Sequence, residues 1–341
     1  MTLRLKVATD QWRAHQRELQ LQIPGMVPVA KGNGYGFGLD VLAREATLLR
    51  AETLAVGTAH EVAEVRFAGW LGDIVVLNPW RPADELATSL LSDPKVITTV
   101  SRVLDANQLA REHPGSRVLL ELDTSMHRHG VRADDLDQLA TDGLALEGWA
   151  IHLPADGSLE EATELAKMAL SHRSGALWLS HLSESHYQTL SERFETRMLM
   201  RVGTRLWLGA PETLQTTATI LDVHPIKRGE KLGYHQVHAP RDGYIVVASG
   251  GTAHGIALAA PVPQRSLRHR VITIADGLMR ATGRTLSPFT IKGKKRPFAE
   301  PPHMQSSMLF VPGRTPGVQV GDDVPVTCRM TTTTFDEIIW D

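Results

Sequence analysis

The sequence predicts an α/β fold, a closed (β/α)8 barrel of the TIM type over residues 8–218 followed by an all-β domain over residues 219–341. Three observations predict it. Eight short β-rich runs, most of them separated by amphipathic segments, fill about 200 residues, the length such a barrel needs. After about residue 218 the texture changes to short apolar runs punctuated by glycine and proline, with no long helical pattern between them. The 341 residues exceed one ordinary domain, and 42% apolar with 22% charged residues is the balance of a folded globular chain.

The barrel runs, in order, are Val27–Lys31, Thr53–Gly57, Asp73–Asn78, Lys95–Val100, Arg117–Asp123, Leu146–His152, Ala176–Ser180 and Met198–Gly203. Between them, segments such as Leu39–Leu49 and His60–Ala68 repeat apolar residues at helical spacing. So many strand–helix units in so short a length favour a barrel over an open sheet. In the second domain the apolar runs are Tyr244–Ala248, Arg270–Ile274, Ser307–Val311 and Val324–Thr327. Val223-His224-Pro225, Arg228-Gly229-Glu230, Arg241-Asp242-Gly243 and Gly250-Gly251 punctuate them. The basic stretch Lys292–Pro297 has no interleaved aromatics and reads as a solvated loop.

Charge and cysteine content narrow the partners. With 36 basic against 38 acidic side chains, the chain has no bulk attraction for nucleic acid or an anionic membrane. Its one cysteine, Cys328, excludes an intrachain disulfide framework and any multi-cysteine metal site, and no metal is expected. No apolar run approaches the length of about 20 residues that spans a bilayer. The N-terminal residues turn polar before a signal-peptide core forms, so the expected location is the cytoplasm.

In such a barrel chemistry sits where the strands end, because the loops there form the open, concave face. Lys31 ends the first strand, the fifth runs into Asp123 and Arg128, His152 ends the sixth, and Arg201 lies on the eighth. Polar residues inside a barrel are costly unless paired, so their concentration at these ends marks a candidate site. Lys31 precedes Gly32-Asn33-Gly34-Tyr35-Gly36-Phe37-Gly38, a backbone that a ligand could approach closely, though an ordinary strand-to-helix turn explains the glycines as well. A lysine in a buried mouth points to Schiff-base chemistry, since burial lowers an amine pKa. The Arg201-Val202-Gly203-Thr204 turn lies where these barrels hold a phosphate.

Six segments together resemble the alanine racemase family. They are Val29–Gly38, Asp123–Gly130, Trp149–His152, Arg201–Thr204, Leu232-Gly233-Tyr234 and His303-Met304-Gln305, in the family's order and over nearly the whole chain. The resemblance implies a barrel that binds pyridoxal 5'-phosphate (PLP), a C-terminal β domain joined by residues 1–7, and a head-to-tail homodimer with shared active sites. It implies an amino-acid racemase with two bases. Lys31 would hold PLP and act on one face of the α-carbon, and Tyr234 of the partner subunit on the other. A phenol titrates near 10 in water, and His152 with Arg201 are the cations expected to lower it. Arg201 would also face the pyridine nitrogen, and Arg128 the cofactor's phenolic oxygen and the substrate carboxylate, helped by the Met304 backbone amide. Tyr35, Ser185, Gly203 and Thr204 are the phosphate candidates, with Ser180 and Ser183 in alternative registers, and His152 completes the cofactor set.

Three departures from the family concern charge and the entrance. Glu121 stands where members often carry a carbamylated lysine, and it is expected to pair with Arg128. Thr252 and Asp336 (or Phe335, one register over) replace two tyrosines, which would widen the entrance and admit a substrate larger than alanine. Two other readings stay open: a decarboxylase on the same barrel, and a non-catalytic PLP-binding protein. The arginine–carboxylate contact argues against the first, because decarboxylation must release that group. The full β domain with Tyr234 argues against the second.

Overall fold

The computed structural model describes residues 2–258, 277 and 285–341, so the expected run Arg270–Ile274 lies outside the described residues. Strand β1 (Leu3–Val7) and helix α1 (Thr9–Gln22) come first. The barrel strands follow as β2 (Met26–Pro28), β3 (Thr53–Val56), β4 (Asp73–Val76), β5 (Val96–Val100), β6 (Arg117–Leu122), β7 (Ala145–His152), β8 (Ala176–Ser180) and β9 (Met198–Val202). They alternate with α2 (Leu39–Leu48), α3 (Ala59–Phe67), α4 (Glu85–Ser89), α5 (Val103–Glu112), α6 (Leu159–His172) and α7 (Glu184–Arg193), and the short α8 (Thr204–Leu208) follows β9. Between β6 and β7 a 3-10 turn, Ala133–Gln138, takes the place of a helix.

Compact units form from Arg13–Ala210 and from Met1–Trp12 with Pro211–Asp341. In the first unit the eight strands pair in parallel in the order β2-β9-β8-β7-β6-β5-β4-β3. A bridge between Val29 and Ala55 joins the two ends, so the sheet closes on itself. Every expected barrel run falls on one of these strands. The first shows the largest difference, because beyond Pro28 only the Val29 bridge continues the pairing as the chain turns toward Gly32.

One layer of side chains plugs the cylinder. Val27 and Val29 come from the first strand, then Ala55, Val75, Ile97, Leu119, Ala150, Trp178 and Leu199 from the other seven. Burying a Val, Leu or Ile contributes roughly 1.5–3 kcal/mol, so each such residue of this layer adds to the barrel's hydrophobic stabilisation. Local signals start the helices around it. Thr58 and Glu61 form a capping box at the start of α3, while Ser158 and Ser183 cap α6 and α7.

In the second unit β1 pairs antiparallel with β10 (Leu214–Ile226) and parallel with Glu337–Trp340. Strand β10 also pairs with Gly243–Ser249, which pairs in turn with Ser306–Pro312. Leu3, Ile220, Val246, Phe289 and Leu309 form the core of this unit. Val223-His224-Pro225, expected as punctuation between runs, lies within β10. Pro225 lies beyond the stretch, Leu214–Ala218, that pairs with β1, so its missing N–H breaks none of those bonds. The basic stretch is also more ordered than a loop. Lys292 and Gly293 make the turn of a hairpin in which Lys294–Pro297 pairs with Leu286–Ile291. Among the described residues no helix is long and apolar enough to cross a membrane.

Candidate active site

Side chains on a strand alternate between faces, so the residue two positions beyond each core residue also points inward. Counting on from Val29, Ala55, Leu119, Ala150, Trp178 and Leu199 gives Lys31, Gly57, Glu121, His152, Ser180 and Arg201. Val75 leads instead to Leu77, which packs against the core, so the next inward layer, at the strands' C-terminal ends, is polar on most strands but not on all.

Lys31 stands at its rim. Partial burial lowers its ammonium pKa, and the positive charges of Arg128 and Arg201 lower it further, while Glu61 opposes them. Glu61 also holds the backbone next to the lysine. Its carboxylate accepts from Gly32 N (2.8 Å), the residue after Lys31, and from Thr58 N (3.1 Å) and Gly57 N. A side chain at Gly57 would press on both the Glu61 carboxylate and the Lys31 Cβ, so the missing Cβ makes the room that the lysine uses. The capping-box spacing Thr58-x-x-Glu61 is readable in the sequence, but the reach to Gly32 beyond the neighbouring strand is not.

Deeper in the layer, Arg201 is 8% exposed and its Nε has no partner. Burial pushes this guanidinium down to about 10, against the raising effect of Glu121, so it remains protonated at neutral pH. Glu121 is 3% exposed, and one carboxylate oxygen is likewise without a partner. Here the structure corrects an expectation: Glu121 makes no ion pair with Arg128. Burial raises its carboxyl pKa, and Arg201 lowers it more than Arg128 or Arg81 does. The chain places Glu121 inside the barrel, whereas Arg128 lies on an exposed loop.

A second correction concerns His152. Burial, together with Arg201 and Arg128, pushes its pKa down to about 2, so it is neutral and contributes no cation for a phenolate. Its Nδ1 shares a 2.7 Å hydrogen bond with the Ser180 hydroxyl, and its carbonyl accepts from Thr124 Oγ1 at 2.9 Å. His181, which sequence reading passed over, stands edge-on to the His152 ring at 5.1 Å. Burial and then Arg201 and Lys31 lower the His181 pKa. Arg128 and Arg201 thus lie close enough to Lys31 and His152 to lower the pKa of both.

The phosphate candidates divide. Tyr35 is buried, its hydroxyl bonds to Thr204, and burial pushes the phenol up to about 12. Gly203 has no room for a Cβ, which would collide with that hydroxyl. Tyr35, Gly203 and Thr204 therefore form one cluster. Of the serines, Ser180 is buried against His152, Ser183 caps α7, and the Ser185 hydroxyl bonds to that of Ser183 at 3.0 Å.

Tyr234 and Met304 belong to the other unit. Tyr234 is 83% exposed, follows Gly233 on the turn between Lys231–Leu232 and Val237–His238, and lies against the His303 ring at 4.9 Å. The Met304 carbonyl accepts from Ala253 N, while its own N–H has no partner among the described residues. Asp336 bonds His254 at 3.1 Å and accepts from Leu3 N at 2.8 Å. Burial raises this carboxyl, but those bonds outweigh it and hold it below the usual range.

Comparison with known proteins places this geometry. Residues 7–211 match the family model described as "Alanine racemase, N-terminal domain". An alanine racemase of Nitratidesulfovibrio vulgaris is 25% identical over 294 residues, 77% of this chain and 76% of that protein. One from Deinococcus deserti is 30% identical over 257 residues, 67% of this chain and 68% of that protein. With one from Photobacterium profundum, 30% identical, the match spans only 37% of that protein's length. Among solved structures, the alanine racemase from E. faecalis superposes with TM-score 0.72 at 17% identity, covering 99% of this chain and 98% of that one. An alanine racemase from Bartonella henselae with covalently bound pyridoxal phosphate superposes with TM-score 0.73 at 16% identity, covering 100% of both chains.

Proposed function

Because the chain belongs to the alanine racemase family, we propose that it is a PLP-dependent amino-acid racemase that interconverts the L and D forms of alanine or a related, larger amino acid. One observation carries the reading. A lysine of lowered pKa shares the polar end of a closed barrel with a buried arginine whose Nε has no protein partner.

These residues fit PLP. An unpartnered buried donor costs about 1–3 kcal/mol, and a ring nitrogen would give Arg201 Nε the acceptor it lacks. Lys31 would hold the cofactor's aldehyde carbon, Arg128 its phenolic oxygen and the substrate carboxylate, and Tyr35, Gly203, Thr204 and Ser185 its phosphate. His152, neutral and bonded to Ser180, would line the cofactor as an uncharged wall. Bound there, PLP would draw electrons from the substrate's α-carbon and acidify its C–H bond. Arg201 opposite the ring nitrogen would not readily protonate it, which would keep that withdrawal weak and favour prompt return of the proton.

Racemisation then needs a proton acceptor on each face of the α-carbon. On one face the Lys31 amine serves, its lowered pKa leaving more of it neutral at physiological pH. On the other, the partner subunit's Tyr234 serves, in a homodimer whose sites are shared. The exposure of Tyr234 on its own chain supports this delivery to a second copy. The free Met304 amide supports a contact to the substrate carboxylate. Lys31 takes or returns the proton at Nζ and Tyr234 at its phenolic oxygen, so each turnover moves one proton off one face and another onto the opposite face.

Incubating the purified protein with L-alanine or D-alanine in D2O tests the reading. The expected product from either is the opposite enantiomer carrying deuterium at the α-carbon. Formation of the amine, or no exchange at all with alanine and larger amino acids, would overturn it.

A further inference from the structure

Tyr234 is exposed, yet it is not left to its own rotamers. Glu300 is buried, its carboxylate side chain only 2% exposed, and both oxygens are used locally. Oε2 accepts from Tyr234 N at 2.7 Å, and Oε1 bonds His303 Nε2 at 2.7 Å. The His303 ring lies in turn against the Tyr234 ring, with centroids 4.9 Å apart and planes tilted by 51°. One carboxylate therefore holds Tyr234 at its backbone directly and at its ring through an imidazole.

The hairpin is built around this grip. Gly233 adopts φ +68°, and a Cβ there would collide with the Glu300 carboxylate, so only glycine lets the chain pass. His303 is fixed on its own side as well. Its N–H donates to Ser306 O at 2.9 Å, and its carbonyl accepts from Thr252 N at 2.8 Å. The loop at Thr252, the turn at Met304 and the Tyr234 hairpin thereby become one hydrogen-bonded body.

We propose that Glu300 and His303 form a positioning pair for Tyr234, fixing the direction in which its phenol is presented. Neither residue touches the reacting atoms; both act through the tyrosine. The inference rests on the racemase reading for its catalytic consequence and on geometry alone for the grip. A misplacement of a reacting group by about 1 Å costs up to about a hundred-fold in rate, which sets the expected scale.

The test uses the PLP-loaded protein labelled with 3-fluorotyrosine, its Tyr234 fluorine signal assigned by its loss in Tyr234→Phe. Glu300→Ala and His303→Leu should both move that signal toward the position of free 3-fluorotyrosine, and Glu300→Gln, which keeps an oxygen acceptor, should move it least. His303 is partly exposed, so His303→Leu stays informative should Glu300→Ala fold poorly. Alongside, α-deuterium exchange is read from each alanine enantiomer. Glu300→Ala and His303→Leu should lose about ten- to a hundred-fold from the one enantiomer that depends on Tyr234. Exchange from the other should change little, and His303→Phe, which keeps a ring against the phenol, should restore part of the loss. An unmoved fluorine signal overturns the grip, and equal losses from both enantiomers overturn its role in catalysis. Wild-type protein that exchanges neither enantiomer instead removes the racemase reading, and the fluorine signal alone then decides the grip.

Discussion

Lys31 and Tyr234 are proposed for the same task on opposite faces of one carbon, yet the chain prepares them by different physics. Around Lys31 the barrel crowds charge and burial together. Arg128, Arg201 and Glu61 all act on its amine, the same cations lower the pKa of His152 and His181, and burial raises that of the Glu121 carboxyl. Around Tyr234 there is little burial, and the preparation is mechanical, through one buried carboxylate and one imidazole. A group that belongs to its own barrel can be tuned by its surroundings. A group meant for a second copy stands in water until it is delivered, so what its own chain can fix is where it points.

The comparison breaks most severely at the lysine. Lys31→Ala should abolish the visible absorbance of bound PLP and bring racemisation below detection, as absorption spectra and a coupled enantiomer assay would record. Tyr234→Phe should leave that absorbance in place and lower exchange from one enantiomer by about 10²–10⁴-fold, with far less effect on the other. Equal, modest losses would mean that the two residues do not divide the faces between them. Glu61→Ala removes the acceptor of three backbone amides beside Lys31. It should lower stability by about 1–3 kcal/mol and weaken PLP binding, seen in thermal melts with and without cofactor. A variant that melts and binds like the parent would show that the loop holds itself.

A further effect appears only in acid and separates the crowded region by pH. His152 has a folded pKa of about 2 against an ordinary 6.5, so between these values the unfolded chain binds a proton that the folded chain does not. Its contribution to stability is therefore complete above about pH 6.5 and declines as acid is added, by up to about 1.4 kcal/mol per pH unit. His152→Gln should flatten the acid limb of a melting-temperature profile by up to that slope. An unchanged limb would mean that His152 is charged in the folded barrel.

Much of the barrel was legible because parallel strands covered on both faces read as apolar runs, and eight of them in one stretch leave few alternatives. The period of two then carries the core residues Leu119, Ala150 and Leu199 on to Glu121, His152 and Arg201. Charge states were not legible. His152 reads as a cation until its burial beside two arginines is known, and Glu121 reads as an arginine's partner until its depth is known. Long-range clamps were equally hidden, since nothing in sequence links Glu61 to Gly32 or Glu300 to Tyr234. Strand β10 was obscured by Pro225, a residue that local rules treat as a break and that the sheet accommodates beyond β1.

The claim that supports all the others is that this chain seats PLP on one particular amine. Loading the purified protein with PLP, reducing it with borohydride and locating the phosphopyridoxyl group by peptide mass spectrometry tests it directly. A single modified peptide with the label on Lys31 is expected. A label on another lysine, or none after loading, would contradict it.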